Sequence, residues 1–372
     1  MPTHIKACQS PVPDLIYPSQ QWERVQEIYP YLKAPEDFAP GQLFHRITLF
    51  LTYRCNLACP YCKTILRSSE EAQQKPHKRL SYDLASLKKL LLGLAPSLLL
   101  HLHFTGGEAV LNPEMPEMIQ FAKQRGVKFI SVTSNGALPV SRYLALVEVG
   151  INEIRISLDA GNAHLGSRLT QRQGAWEKTI ETIQALAQES RKRADFYLIV
   201  NTVVGLKNYQ ELPEILRFVL SLGPDDIKLI TEVDVKQELG DLKQKNALIA
   251  QAQALLADYP ATAFPLLRRK LDTVFEAESI GLAKVSTPQN GQWHCFIPLS
   301  ERTVDAQYYY PCSVYLREGG SPLGELSDSP QIQYQKTARF VREENCLSDP
   351  ICQKYCLHCT REFNQLANAA LT

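Results

Sequence analysis

The chain has 372 residues, 45% of them hydrophobic, enough for a substantial core in two domains or in one large α/β barrel with an appendage. Lysine plus arginine number 40 against 39 aspartate plus glutamate, a balance that gives no support to global electrostatic attraction to nucleic acid or an anionic membrane. No apolar run approaches the roughly eighteen residues of a membrane span, and the N-terminus MPTHIKACQSPVPDLIYPSQQW lacks the segments of a secretion signal, so cytoplasmic residence is expected.

Residues 1–45 carry prolines and aromatics without a sustained period and read as an N-terminal strap on the outside of a domain. From Arg46 an alternation begins. RITLFLTY reads as a strand and SYDLASLKKLLLGL as a helix with Ser81 as N-cap; LLLHLHF is a strand, and PEMPEMIQFAKQRG a helix ending near Gly126. KFISVTS, EIRISLD, FYLIVNTVV and DIKLITEV continue the strands, separated by the helical segments SRYLALVEVG, AWEKTIETIQALAQES and LPEILRFVLSLG.

Such repeated strand–helix units demand a parallel sheet with right-handed crossovers. A partly open (β/α)6 barrel and a doubly wound sheet both fit the periodicity; the preferred reading is an α/β fold with a partial, TIM-like (β/α)6 barrel over residues 46–235. Residues 236–289 read as bridging helices, KNALIAQAQALLADY and PLLRRKLDTVFEAESIG. Residues 290–363 are turn-rich and cysteine-bearing, with too few continuous apolar faces to pack alone, and are expected to be held by a metal centre; residues 364–372 form a tail.

The ten cysteines fall in an informative order: Cys8 alone, then Cys55, Cys59 and Cys62, then Cys295, Cys312, Cys346, Cys352, Cys356 and Cys359. Disulfides need an oxidising compartment, whereas tight thiol groups in a reducing one read as metal ligands. The triple Cys55-x3-Cys59-x2-Cys62 directly follows the first strand, at the strand end where parallel α/β enzymes place their chemistry. Three thiolates are one short of filling a [4Fe–4S] cluster, and an open position marks a catalytic rather than a structural site. A structural zinc site completed by His45 or His77 is the alternative.

This triple, with the aromatic Tyr61 before its last member, resembles the signature of the radical S-adenosylmethionine (SAM) family, and the resemblance extends over roughly residues 46–235. It implies a [4Fe–4S] cluster on Cys55, Cys59 and Cys62 whose unique iron binds the methionine moiety. Reductive cleavage would give methionine and a 5′-deoxyadenosyl radical that abstracts hydrogen from substrate. Tyr61 then either packs or shields the cluster. Gly106, Gly107 and Glu108 resemble the family's glycine-rich motif, with Ala109 where proline is more usual; Glu108 reads equally as a loop-stabilising acid.

Thr133, Ser134 and Asn135, followed by Gly136, resemble the ribose- and carboxylate-contacting segment, although Asn-Gly alone is an ordinary turn. Ser157 is implied as a cofactor contact and Asp159 as the start of a loop over the substrate, both on one side of their strand. A buried amide needs partners, so Asn201 is a structural network residue or an adenine-side contact. His164, Arg168 and Gly174 stand at matching intervals, the first two reading equally as a solvated pair. His101 and His103 read as barrel-wall histidines.

The distal cysteines resemble the auxiliary-cluster (SPASM) domain of radical enzymes that modify peptides and its shortened, Twitch-like relative. Ala306 replaces an expected glycine and Glu343 an expected cysteine. The implied cofactor is at least one auxiliary iron–sulfur cluster of [4Fe–4S] type, with Glu343, His294 and His358 as further ligands left open, and a closed zinc site as the alternative.

The implied function is modification of a ribosomally made peptide or protein, with a reductase or a flavodoxin or ferredoxin as electron donor. Recognition would fall to a separate leader-peptide-binding protein, the strap or the barrel. One rival is radical modification of a small molecule. The other, a non-catalytic electron-transfer or metal-stabilised interaction protein, needs no cofactor cradle on successive strand–helix units.

Overall fold

Alternation of apolar and polar residues drives the strands, and the structure, a computed structural model, describes residues 18–37, 44–64, 80–94, 99–232, 242–275, 281–282 and 292–370; Cys8 and His77 lie outside them. Helix α1 (Pro18–Lys33) precedes β1 (Phe44–Thr52), α2 (Leu84–Leu92), β2 (Leu99–Gly106), α3 (Met115–Gln124), β3 (Phe129–Ser134), α4 (Val140–Glu148) and β4 (Glu153–Ser157). Then come α5 (Ala163–Thr170), α6 (Ala175–Lys192), β5 (Tyr197–Val204), α7 (Leu212–Leu222), β6 (Asp226–Thr231), α8 (Leu242–Ala254) and α9 (Pro265–Leu271). The distal part holds β7 (Glu301–Val304), β8 (Tyr308–Tyr310), α10 (Ser313–Arg317), β9 (Gly324–Glu325), α11 (Pro330–Glu343), α12 (Pro350–Tyr355) and α13 (His358–Ala369).

The strands form one nine-stranded sheet in the order β6-β5-β4-β3-β2-β1-β7-β8-β9. Strands β1 to β6 are parallel neighbours in chain order. Each right-handed crossover therefore advances in the same sense and leaves its helix on the same face. A doubly wound sheet needs a reversal of order, and none occurs here; the architecture is an unclosed, partial barrel.

The two faces of the wall differ in chemistry. Ile47, Leu49, Leu102, Phe104, Ile130, Val132, Ile154, Ile156, Leu198, Val200 and Ile227 share one buried core with Leu87, Met118, Leu146, Ile183 and Leu216 of the helices. Successive strand residues point to opposite faces, so Arg46, Thr48, His101, His103, Ser131, Thr133, Glu153, Arg155, Ser157, Asn201 and Lys228 line the inside. A closed barrel fills its interior with apolar layers; this open one sets these polar residues among a few apolar ones, Phe129, Tyr197 and Ile199.

Several local expectations are corrected. Asp83, not Ser81, caps α2, its Oδ1 accepting from Ser86 N at 2.7 Å, while Ser81 bridges back to Thr52 at the end of β1. Within the segment read as an aperiodic strap, residues 18–33 form α1, whose contacts with α13 supply the support that its weak periodicity does not. The segment PLLRRKLDTVFEAESIG is helical only over α9 before a turn, and its residues 276–280 lie outside the described ones. The turn-rich distal segment contains the long helix α11, and its short strand β7 joins the barrel sheet parallel to β1, with Arg46 opposite Glu301 and Leu49 opposite Val304.

Candidate active site

At the carboxyl end of β1 the chain leaves the sheet through Tyr53 and Arg54 and enters the first cysteine loop. The glycine loop after β2 lies directly on it: Gly107 N donates to Thr52 O at 2.6 Å and Glu108 N to Arg54 O at 2.8 Å. A Cβ on Gly106 (φ +134°) would sit 2.3 Å from Thr52 O, and one on Gly107 2.2 Å from Arg54 O, so only glycine permits this approach.

Glu108 is fully buried, and its carboxylate accepts from Val110 N at 3.0 Å, Ser134 Oγ at 2.8 Å and Asn135 N at 2.8 Å. Burial pushes its pKa up, and the three donors oppose that shift. The carboxylate thus knits the loop after β2 to the loop after β3. Asn135 completes the link, with Nδ2 2.8 Å from Asn56 Oδ1 and 3.6 Å from Cys55 Sγ.

The cysteine loop is held by groups that the sequence alone does not single out. Ala58 N donates to Thr170 O at 3.2 Å, Arg172 Nη1 to Asn56 O at 2.7 Å, and Cys62 N to Cys59 O at 3.1 Å. Leu57, Ala137 and Ala175 pack against Cys55 and Cys59. Partial burial, then the charge of Asp159, pushes the Cys59 thiol up to about 12. Tyr61 hydroxyl donates to Asp159, whose other oxygen accepts from Val203 N at 2.7 Å. Burial raises the Asp159 carboxyl to about 6 against these two hydrogen bonds.

Further along the wall, Ser157 stands opposite Asn201 in the β4–β5 register. Asn201 is 4% exposed and its Oδ1 has no hydrogen-bond partner among the described residues. Of the more distant candidates, His164 and Arg168 are exposed, and Arg168 Nη2 donates to Lys207 O at 3.4 Å. Gly174 (φ +72°) opens α6. His45, buried at the opposite end of β1 from the cysteine loop, binds Glu27.

The structure also gathers the distal thiols. Cys346 is driven up, chiefly by the neighbouring Cys295 and Cys352, while Cys295, which also accepts from Asn364 Nδ2 at 3.4 Å, is driven down. Burial, then the neighbouring Cys295, raises Cys312 to about 12. Cys356, raised chiefly by burial, has Cys295, Cys352, Cys312 and Cys359 around it. Each described cysteine is a free thiol. Glu343 instead pairs with Arg339 at 2.7 Å and Arg342 at 3.1 Å, and His294 Nδ1 is buried without a partner among the described residues.

The two thiol groups meet across a seam. Lys63, next to Cys62, bonds Glu318 at 2.8 Å and lies 4.4 Å from the centre of the Tyr355 ring, next to Cys356. Arg317 is close enough to both Cys62 and Cys312 to feel each of them.

These residues fit the groups that the sequence implies. The thiol-bearing loop, the close glycine backbone and the orphaned Asn201 oxygen offer sulfur ligands and polar contacts on one open face. Among the described residues no three His, Cys, Asp or Glu side chains converge as they would on a single metal ion.

The chain is thus an open parallel barrel with a cysteine triple at the exit of its first strand. Residues 49–219 match the family model of the Radical SAM superfamily. Over those residues, a little under half of its length, the chain is similar to that superfamily, and a cysteine-rich region follows them. A PqqA peptide cyclase of Rhodopseudomonas palustris is 29% identical over 219 residues, 58% of this chain and 53% of that protein. A probable GTP 3′,8-cyclase of Sulfurisphaera tokodaii is 28% identical over 197 residues, 51% of this chain and 56% of that protein. The chain spans about half the length of these curated relatives. The crystal structure of Streptococcus suis SuiB bound to S-adenosylmethionine matches with a TM-score of 0.57 at 13% identity, covering 90% of this chain and 74% of that one, a likeness of fold.

Proposed function

We propose that the chain reductively cleaves SAM and uses the resulting 5′-deoxyadenosyl radical to take a hydrogen atom from a ribosomally made peptide or protein. The observation that carries this reading is the junction of the cysteine loop with the glycine and Asn135 loops, through Gly107 N to Thr52 O at 2.6 Å and Asn135 Nδ2 to Cys55 Sγ at 3.6 Å. A [4Fe–4S] cluster on Cys55, Cys59 and Cys62 would supply the electron that breaks the carbon–sulfur bond. This chain's own residues hold and orient: Gly106 and Gly107 bring backbone close, Thr133 and Ser134 end β3 where Asn135 opens the next loop, and Ser157, Asp159 and Asn201 line the space beyond.

The likeness to a PqqA peptide cyclase supports a peptide as substrate, and the six distal cysteines support an auxiliary iron–sulfur cluster. A reductase, flavodoxin or ferredoxin would deliver the electron, and a separate leader-peptide-binding protein would present the substrate. Free thiols at every described cysteine suit a reducing cytoplasm, and no described helix is long and apolar enough to cross a membrane. The likeness to a GTP 3′,8-cyclase favours a second reading, in which the substrate is a small molecule.

The test uses protein isolated without oxygen and loaded with iron and sulfide, then given SAM and a strong one-electron reductant. Mass spectrometry should find 5′-deoxyadenosine, and Cys55→Ala, Cys59→Ala and Cys62→Ala should abolish it. Normal cleavage by any of these loaded variants would sink the assignment. Cys352→Ala and Cys356→Ala should lower turnover of peptide more than cleavage of SAM.

A further inference from the structure

Two histidines on the inner wall have no part in the thiolate chemistry, yet they are joined in a line. Arg46 Nε donates to His101 Nδ1 at 3.2 Å. His101 Nε2 lies 2.6 Å from Ser131 Oγ, and His103 Nδ1 lies 2.7 Å from the same oxygen. His103 Nε2 is 3.3 Å from Thr133 Oγ1. The line starts near the beginning of β1, climbs across β2 and β3, and ends beside the Ser134–Asn135 loop that touches Cys55.

Its direction follows from valence. Arginine donates and cannot accept, so His101 Nδ1 is an acceptor and the hydrogen of the neutral ring sits on Nε2. That hydrogen goes to Ser131. Ser131 has one hydroxyl hydrogen and two acceptor positions; with that hydrogen given to His103 Nδ1, the hydrogen of the His103 ring sits on Nε2 and is aimed at Thr133. Thr133 Oγ1 then accepts from behind, so its own hydrogen points away from the line.

We infer that Arg46, His101, Ser131 and His103 are positioning residues that make the Thr133 hydroxyl a hydrogen-bond donor into the ligand space, where it takes an acceptor oxygen of SAM. The choice of ligand rests on the proposed function; the direction of the line does not.

Long-range 15N–1H correlation on histidine-labelled protein, with signals assigned from single histidine variants, should show both rings neutral with hydrogen on Nε2. Ser131→Ala should cost His103 its fixed tautomer. In iron- and sulfide-loaded enzyme, Ser131→Ala and Thr133→Val should each weaken SAM binding about three- to tenfold, and the double variant no more than Thr133→Val alone. Hydrogen on His103 Nδ1, a doubly protonated ring, unchanged SAM affinity in Thr133→Val, or additive losses would each overturn the inference. Wild-type protein that shows the tautomers but, fully loaded, binds no SAM would overturn the functional reading and the ligand assignment, and leave the line standing.

Discussion

Glu108 accepts three hydrogen bonds from two loops while having no contact with water, and a buried carboxylate in that position is sensitive to small changes. Replacing it by glutamine keeps the shape and turns one acceptor into a donor, which must then face the N–H of Val110 or Asn135. Leaving such a buried group unmatched costs about 1–3 kcal/mol. Glu108→Gln should therefore lower thermal stability by that order and loosen the Asn135 contact to Cys55. Calorimetry of the loaded and unloaded protein checks it; an unchanged melting temperature would show that the carboxylate is already protonated, with its donors satisfied otherwise. The acidic position was visible in the sequence. Which of its two readings applied was not, because the partners at Ser134 and Asn135 come from another strand–helix unit.

Among the elements, β7 does the joining. It pairs with β1 over four residues, and the turn after it is fastened by Asp305, fully buried, which accepts from Tyr53 Oη at 2.8 Å and from Gln307 N and Tyr308 N at 2.9 and 2.7 Å. Tyr310 Oη is 3.4 Å from the same carboxylate. Tyr53→Phe should cost about 1 kcal/mol, the net worth of one such hydrogen bond. Asp305→Ala, which strands several buried donors, should cost about 3 kcal/mol or more and expose the turn to limited proteolysis. Equal protease resistance in wild type and Asp305→Ala would show that the pairing with β1 alone holds β7 in place. The six barrel strands were legible because their apolar alternation spans five or more residues each. Strand β7, reading ERTV, is too short and too polar to show a period, and α11, with Arg, Lys and Gln on much of its surface, carries a weak apolar stripe. The candidate site followed the same rule: Cys55, Gly107 and Asn135 could be found from local motifs, whereas Thr170 and Arg172 touch the loop only through the fold.

For the molecule as a whole, the free edge of the barrel is closed by a carboxylate. Asp226, at the start of β6, accepts from Leu266 N at 2.9 Å and Leu267 N at 3.3 Å at the start of α9. Burial raises its pKa from 3.8 to about 7, against those backbone donors. The folded carboxyl thus binds its proton more tightly than the unfolded one, so between pH 3.8 and about 7 folding takes up a proton and this group's contribution to stability falls as pH rises. Asp226→Asn should remove that slope, read as a flatter dependence of melting temperature on pH than in wild type. Parallel curves for the two proteins would mean that Asp226 does not titrate in that window.

The division of the barrel wall into an apolar face under the helices and a polar face inside also separates two kinds of selection. Residues that hold the fold, such as Ile130 and Val200, and residues proposed to meet the ligand, such as Ser157 and Asn201, lie on opposite faces of the wall. Inherited variation on the inner face can accumulate with little loss of folding, so one scaffold can drift from substrate to substrate while its frame stays under constant constraint.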